Sequence, residues 1–406
     1  MASPLFDRTT PPHIMTLVVA TATAAVSMNV FLPSLPGLAT YFDADYSVVQ
    51  LAVSLYLAAT AALQLVIGPA SDRLGRRPVM LACFAIFILS TIAALNAPNI
   101  TIFLICRVFQ AFSAAGMVLS RAIVRDTVSA EDAASRIGYI TMGMTLAPMI
   151  GPLIGGILDE LYGWQATFYL ILAFGIVSFA IVYLDLGETN GNRSVSMTSQ
   201  LKHYPELFRA RRFWGYTATA AFASGAFFAF LGGGPYVATE MLHLTSSGYG
   251  MYFILISLGY MFGNFLTARF SRSFGINRMM LVGNIIATLG LVLALVLFTA
   301  GYFHPLSLFG PSMFVGIGNG MTMPNANAGL VSVRPHIAGT ASGLGGALQI
   351  GGGAALAVVA GALLTAESGP FPLLWVMLIS SALAIGASLY VIHVARQLGL
   401  SDGEPT

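Results

Sequence analysis

The chain has 406 residues, 57% of them hydrophobic and only 8% charged, against about 25% charged in an ordinary soluble domain, so it cannot be clothed as a water-soluble globule. Eighteen Lys and Arg nearly balance sixteen Asp and Glu for a formal charge of +2, which excludes a basic nucleic-acid footprint and an acidic disordered tail. Cys83 and Cys106 both lie in apolar runs and the six histidines are scattered, which excludes a disulfide framework and leaves no cluster to hold a metal.

In chain order, apolar runs begin near Ile14, Val48, Pro78, Ile100, Ala134, Ala166, Phe213, Ser247, Met279, Ser307, Ile337 and Leu373. At about 20 residues per span, twelve spans need roughly 240 residues, which the chain supplies. The runs are rich in Ala, Gly and Leu, as packed transmembrane helices are, and they lack the alternation of a membrane barrel. The first run continues through Asn29 and Pro33 without a small-residue cleavage pattern, and is read as a retained span. The expected class is therefore an all-α membrane protein with twelve transmembrane helices.

The basic residues orient it. With the N-terminus inside, every Lys and Arg except Arg107 falls in or beside a cytoplasmic segment. The outer loops hold Asp43, Asp45, Asp159, Glu160, Glu240 and Glu367 but no Lys or Arg, which is the positive-inside bias. Both termini are expected in the cytoplasm.

A polar stretch divides the chain into residues 1–184, a linker at 185–212 containing Gly187-Glu188-Thr189-Asn190-Gly191-Asn192, and residues 213–406. The halves echo each other at a spacing of 200: Arg73-Leu74-Gly75 parallels Ser273-Phe274-Gly275, and Gly143 and Gly151 match Gly343 and Gly351. An internal duplication predicts two pseudo-symmetric six-helix bundles around a central site.

Three motifs carry chemistry. Gly68-Pro69-Ala70-Ser71-Asp72-Arg73-Leu74-Gly75-Arg76-Arg77-Pro78 occupies the turn between spans two and three. Its glycines permit a tight turn. Asp72 can accept from a helix N-terminus or an arginine, while Arg73, Arg76 and Arg77 face the anionic leaflet. Arg107 lies about 12 Å deep in span four at 1.5 Å per residue, with Gln110 one turn on. Such a charge costs about 2.5–3.5 kcal/mol on insertion scales, so it either faces a water-filled cavity as a fixed positive charge or is pinned to backbone carbonyls. In span five, Pro148, Gly151, Pro152, Gly155 and Gly156 combine bends with small residues that admit a close neighbour. Candidate pocket residues are Asn29 and Phe31 before the Pro33 bend, Tyr56 and Gln64 on span two, the adaptable thioethers of Met142 and Met144, and the aromatic group Phe227, Phe228, Phe230 and Tyr236.

The loop string resembles the signature loop of the major facilitator superfamily, and the resemblance covers essentially the whole chain. Arg107-Val108-Phe109-Gln110 with Ala114-Ala115-Gly116 looks like the fourth-span motif of that superfamily's drug exporters. Ala147-Pro148-Met149-Ile150-Gly151-Pro152-Leu153-Ile154-Gly155-Gly156 looks like their fifth-span antiporter motif. Phe31-Leu32-Pro33-Ser34-Leu35-Pro36, Arg121-Ala122-Ile123-Val124-Arg125-Asp126, Gly163-Trp164-Gln165, Pro324-Asn325-Ala326-Asn327-Ala328 and Ala338-Gly339-Thr340-Ala341-Ser342-Gly343 resemble the bicyclomycin and chloramphenicol resistance (Bcr/CflA-type) subfamily. The resemblance implies a twelve-helix drug:proton antiporter of a bacterial inner membrane that needs no cofactor and works by alternating access, for which a monomer suffices. It assigns coupling or gating to the loop, to Asp126 and to the fifth-span motif.

The chain departs from that pattern at one position. Family members usually carry an acid before the aromatic-Leu-Pro of span one, and here it is Asn29, which cannot titrate. No acid stands in the middle of any span. Asp72 or Asp126 then takes the proton role, or the substrate carries the exchanged charge, or transport is uncoupled. A pocket with Arg107 and no carboxylate disfavours lipophilic cations, so neutral or anionic amphiphiles of the amphenicol or bicyclomycin class are expected. An uncoupled facilitator or an importer of a small metabolite is the alternative. The scattered histidines offer no metal-ligand cluster, so an enzyme is not expected, and no phosphate-cradling loop followed by lysine exists, so ATP-driven transport is not expected either.

Overall fold

The computed structural model describes residues 6–128, 130–190, 204–334, 337–365 and 367–399; within them the side chains at 125, 130–139, 141–146, 204 and 338–339 are not described. Met142, Gly143 and Met144, among the expected pocket and repeat residues, therefore lie outside the described side chains.

No strand occurs among the described residues, and the chain runs through twelve long helices. In the first half these are α1 (Ile14–Phe42, broken after Asn29), α2 (Tyr46–Leu74), α3 (Arg76–Leu95), α4 (Ile100–Gln110 and Ala114–Thr127, joined by a 3-10 turn), α5 (Ala130–Tyr162) and α6 (Trp164–Asp185). In the second they are α7 (Arg211–Met241), α8 (Ser246–Phe274), α9 (Ile276–Thr299), α10 (Pro305–Ser332), α11 (Ala338–Leu363) and α12 (Phe371–Gln397). A short helix, Tyr204–Arg209, precedes α7. Ten of the long helices are apolar enough by length and composition to cross a membrane. α10 is more polar because it carries Asn319, Thr322 and Asn325, all buried within its bundle.

Most helices begin a few residues before their apolar runs, because the polar turns that precede those runs already form caps. Asn99 accepts from the Ile102 N–H at 3.0 Å and Thr245 from the Gly248 N–H at 3.1 Å, satisfying amide groups that a helix start leaves unpaired. At the end of the molecule that carries the termini, two equivalent turns shrink to one glycine. Gly75 joins α2 to α3 at φ +105° and ψ 149°, and Gly275 joins α8 to α9 at φ +82° and ψ 152°. Both lie in the region that disfavours residues with a Cβ. The repeat read from sequence thus reappears as matching backbone geometry.

α5 and α11 hold equivalent places. α5 packs on α1 of its own half and on α8 of the other, while α11 packs on α7 and on α2. Small residues permit this. A Cβ on Gly155 would lie 1.7 Å from the Val30 carbonyl oxygen, and one on Gly156 would lie 2.2 Å from that of Ser246. In the second half, Gly259 and Gly263 of α8 face α10 backbone while Gly316 and Gly320 of α10 face α8 backbone, two small-xxx-small stripes meshed together.

Gly155→Ala is expected to destabilise the fold by about 1–3 kcal/mol, since the neighbour it meets is backbone. Gly310→Ala, where no atom lies within 4 Å of the added carbon, is expected to be neutral or stabilising. Thermal unfolding of the detergent-purified variants checks both.

Candidate functional site

α1 breaks where Pro33 removes a backbone donor, and a 3-10 turn at Leu32–Ser34 carries the chain on. The break brings Phe31 under the Arg107 guanidinium. Its Cζ lies 4.1 Å from the Phe31 ring centroid and 4.6 Å from that of Tyr56. Arg107 is fully buried. Nε donates to the Ala52 carbonyl at 3.1 Å, and Nη1 donates to the Gln110 Oε1 at 2.5 Å and reaches the Ser27 carbonyl at 3.4 Å. Gln110 Nε2 passes the chain on to Thr91 Oγ1 at 2.9 Å. The Tyr56 hydroxyl lies 3.0 Å from the Ala24 carbonyl and 2.9 Å from Ser113 Oγ, whose own proton goes to the Gln110 carbonyl at 2.8 Å. One polar network therefore ties α1, α2, α3 and α4 together, with a cation at its centre and no carboxylate in it.

Both sequence readings of Arg107 leave a trace here. The side chain is pinned to backbone carbonyls, as one reading has it, and it does not open into solvent in this conformation. Yet Nη2 is buried without a hydrogen-bond partner, as is Oδ1 of Asn29. Asn29 Nδ2 donates back to the Ala25 carbonyl at 2.7 Å, and its Cβ would touch a Cβ on Gly151 at 3.1 Å. Gly151 and Gly155 thus seat the broken turn of α1 against α5.

The expected aromatic group of α7 divides. Phe230 is buried in the core of the second half against Phe253 and Phe309. Phe227 is partly buried beside Phe228 and Phe253. Tyr236 lies 4.7 Å from the ring of Tyr46, across the interface between the halves. Phe230 therefore fills its own core, where Phe309 and Phe253 leave no face for a ligand.

The α2–α3 turn corrects the reading of Arg76 as a headgroup contact. Arg76 is buried and forms ion pairs with Asp72 and, at 3.0 Å, with Asp126 at the end of α4; Nη1 also donates to Ser71 Oγ at 2.6 Å. Arg77 Nη2 donates to the Tyr183 carbonyl at 3.2 Å, and Arg73 is exposed. Two residues missed by sequence reasoning complete the cluster. Glu188 Oε1 accepts from the Arg76 N–H at 2.9 Å, and Asn190 Nδ2 donates to the Asp72 carbonyl at 2.7 Å. A Cβ at Gly75 would lie 2.3 Å from Glu188 Oε2. The start of the expected linker is thus fastened onto the signature turn. Its polar composition resembles any solvated linker, so no local signal marks it.

Among the described residues, hydrogen bonds between the halves lie in the part of the bundle distal to the termini. The Tyr46 hydroxyl donates to the Gly232 carbonyl at 2.8 Å. Ser246 Oγ donates to Asp159 Oδ2 at 2.5 Å, the Ser247 N–H to Glu160 Oε2 at 3.2 Å, and Ser257 Oγ to the Pro148 carbonyl at 3.3 Å. The last turn of α5 thereby presents two carboxylates to the N-terminus of α8, where negative charge is favoured. The distal end is clasped shut. Pro148, Pro152 and Gly156 of the fifth-span motif lie along this seam, Pro152 with its carbonyl 2.4 Å from a Cβ on Gly250.

Residues 17–353 match the family described as the Major Facilitator Superfamily. The chain is 28% identical over 346 residues to the bicyclomycin resistance protein homolog of Haemophilus influenzae, covering 84% of this chain and 86% of that protein. It is 27% identical over 369 residues to multidrug resistance protein D of Escherichia coli (90% and 92% covered). It is 27% identical over 331 residues to the chloramphenicol resistance protein of Pseudomonas aeruginosa (80% and 78% covered). The crystal structure of a D-xylose-proton symporter superposes with a TM-score of 0.76 over 93% of this chain and 96% of that one, at 13% identity, which speaks for the fold alone.

Glu188→Ala is expected to lower stability by about 1 kcal/mol by leaving the buried Arg76 N–H without its acceptor, while Glu188→Gln, which keeps an acceptor oxygen, restores most of it. Unfolding temperatures of the two variants check this.

Proposed function

We propose that this chain is a drug exporter, and the premise is its family: it belongs to the Major Facilitator Superfamily, and the protein is a multi-pass membrane transporter. In this reading residues 1–184 and 213–406 rock against each other across the linker at 185–212, exposing one pocket alternately to either side of a bacterial inner membrane. The basic residues of the turns support a cytoplasmic position for both termini. The clasped distal end is then the outer face, and the conformation is closed outward.

The single observation that carries the reading is the Arg107 network. A buried cation that binds neutral groups and two aromatic faces, with Nη2 unspent, is a recognition element for an acceptor-rich ligand. Phe31, Tyr56 and Gln110 contact it, and Asn29, Phe227 and Tyr236 complete the proposed pocket. Without a carboxylate, the pocket repels cations, which supports neutral or anionic amphiphiles of the amphenicol or bicyclomycin class as substrates. The resistance names of the relatives support the same class.

Exchange for protons requires a titrating group, and Asn29 is not one. Asp72 and Asp126 share Arg76, and of the two only Asp126 lies on α4, so loss of its charge would remove the ion pair that holds the α2–α3 turn to α4. That makes this cluster the coupling site of the proposal. Uncoupled facilitation is the second reading, favoured by the fact that no described carboxylate stands in mid-span.

Arg107→Met and Arg107→Lys separate a working charge from a packing pin. Arg107→Met leaves Gln110 Oε1 and the Ala52 carbonyl without their donor, so it is expected to lower the unfolding temperature. It is also expected to lose about tenfold or more in proteoliposome flux per folded molecule, equal to about 1.4 kcal/mol, whereas Arg107→Lys, which keeps the charge, is expected to retain more flux. Flux retained by a folded Arg107→Met would sink the proposal. In a pH-clamped flux panel, wild type is expected to prefer neutral and anionic compounds. Asn29→Asp is expected to add gradient-dependent export of ethidium; ethidium export by the wild type equal to that of an acid-bearing relative would refute the assigned selectivity.

A further inference from the structure

A groove of about 550 Å³ lies between α7 and α12 on the outer surface of the second half, at the end that carries the termini. It has a polar mouth and an apolar floor. At the mouth, Arg209 and Arg211 are exposed, and neither pairs with a carboxylate among the described residues. Arg211 is aimed rather than loose: Nε donates to the Tyr390 hydroxyl at 3.3 Å. Trp214 donates to the Phe208 carbonyl at 2.9 Å and stacks on the Phe208 ring at 5.7 Å. Indole and phenol side chains with one wet and one apolar end are those that settle at the headgroup level of a bilayer.

Beyond them the floor is bare hydrocarbon. Ala218 and Phe222 line one wall, Leu383 and Gly386 the other. No atom lies within 4 Å of a carbon added at Gly386, so the slot is open toward lipid. From Arg211 to Phe222 the wall runs about 16 Å at 1.5 Å per residue, a length matched to much of an acyl chain. Leu383 and Trp214 stay 48% and 41% exposed, so a slot occupant would cover them.

We propose that this groove is a binding site for one anionic diacyl phospholipid, with its phosphate between Arg209 and Arg211 and one acyl chain along α7 and α12. Two exposed cations at the mouth complement a negative headgroup, and the apolar floor beyond them complements a chain attached to it. A free anion satisfies the first demand and not the second. The site is distinct from the Arg107 network and does not depend on what the protein transports.

Native mass spectrometry of the purified full-length protein, offered phosphatidylglycerol or phosphatidylcholine with identical acyl chains, tests the proposal. Phosphatidylglycerol is expected to be retained preferentially. Each surface arginine contributes about 1 kcal/mol toward an anionic lipid, so Arg209→Gln and Arg211→Gln should each weaken retention about fivefold. Gly386→Leu, which fills the slot and leaves both charges in place, should weaken it too, which covers the case in which an arginine variant fails to fold. Inorganic phosphate should leave the unfolding temperature unchanged. Equal retention of the two lipids, undiminished phosphatidylglycerol binding by the double arginine variant, or a phosphate effect equal to that of the lipid would overturn the assignment.

Discussion

A guanidinium held deep in the first bundle without a carboxylate has to be stabilised by neutral groups, and the arrangement of α1 to α4 follows from that need. Two aromatic faces contribute about 2 kcal/mol each when desolvated, and hydrogen bonds to a charged group about 1.5–3 kcal/mol each. Either set alone matches the insertion cost of about 2.5–3.5 kcal/mol, and Phe31, Tyr56, Ser27, Ala52 and Gln110 converge to supply both. Phe31 reaches Arg107 because α1 breaks, and α1 can break there because Gly151 and Gly155 let α5 close over the irregular turn. Irregular backbone at membrane depth is tolerated where protein covers it, and here the fifth-span glycines provide the cover.

The contrast between bonding within and between halves bears on motion. Within the second half, Asn284 donates to Ser388 Oγ at 3.0 Å and accepts from Thr322 Oγ1 at 3.1 Å, knitting α9, α10 and α12. Within the first, the Arg107 network joins four helices. Between them, the described hydrogen bonds are a handful from hydroxyl or amide groups at the clasped end, each with a net contribution of about 1 kcal/mol. The halves also pack closely through α5 on α8 and α2 on α11, so in the proposed alternating-access cycle it is this glycine-lined packing, more than hydrogen bonds, that has to be exchanged between conformations.

Much of the fold was legible in the sequence because bilayer thickness, hydropathy and turn glycines act locally. The spans announce themselves by their apolar length, and the repeat of Gly75 and Gly275 by identical spacing. The Arg107 site was legible in part: its depth and its neighbour Gln110 follow from helical periodicity, whereas its contacts with Ala52 and Ser27 join positions 55 and 80 residues away. Glu188 on Arg76, 112 residues distant, and Ser246 on Asp159, 87 residues distant, leave no periodic trace, because a polar residue in a loop looks the same whether it is solvated or locked. Arg76 itself was misread for the same reason. A positive loop residue satisfies the topology rule equally well facing headgroups or two acids.

The two turn glycines also show how duplication and function part company. Both turns keep their backbone shape, but only the first keeps its charges; where Asp72 and Arg76 stand, the second half has Arg272 and Ile276, and Asn277 there accepts a hydrogen bond from the Tyr216 hydroxyl at 2.9 Å. Among the described residues the Asp72–Arg76–Asp126 cluster has no counterpart at the second turn, and the ion pair of the second half lies elsewhere, between Arg334 and Glu206. Glu188 and Asn190, which follow α6 within five residues, are fastened to the first turn. The stretch connecting the halves therefore begins at this turn, with Glu188 accepting from the first amide of α3. If the two bundles rock as proposed, this asymmetry makes the first turn the one whose contacts lie beside the start of the connection between them.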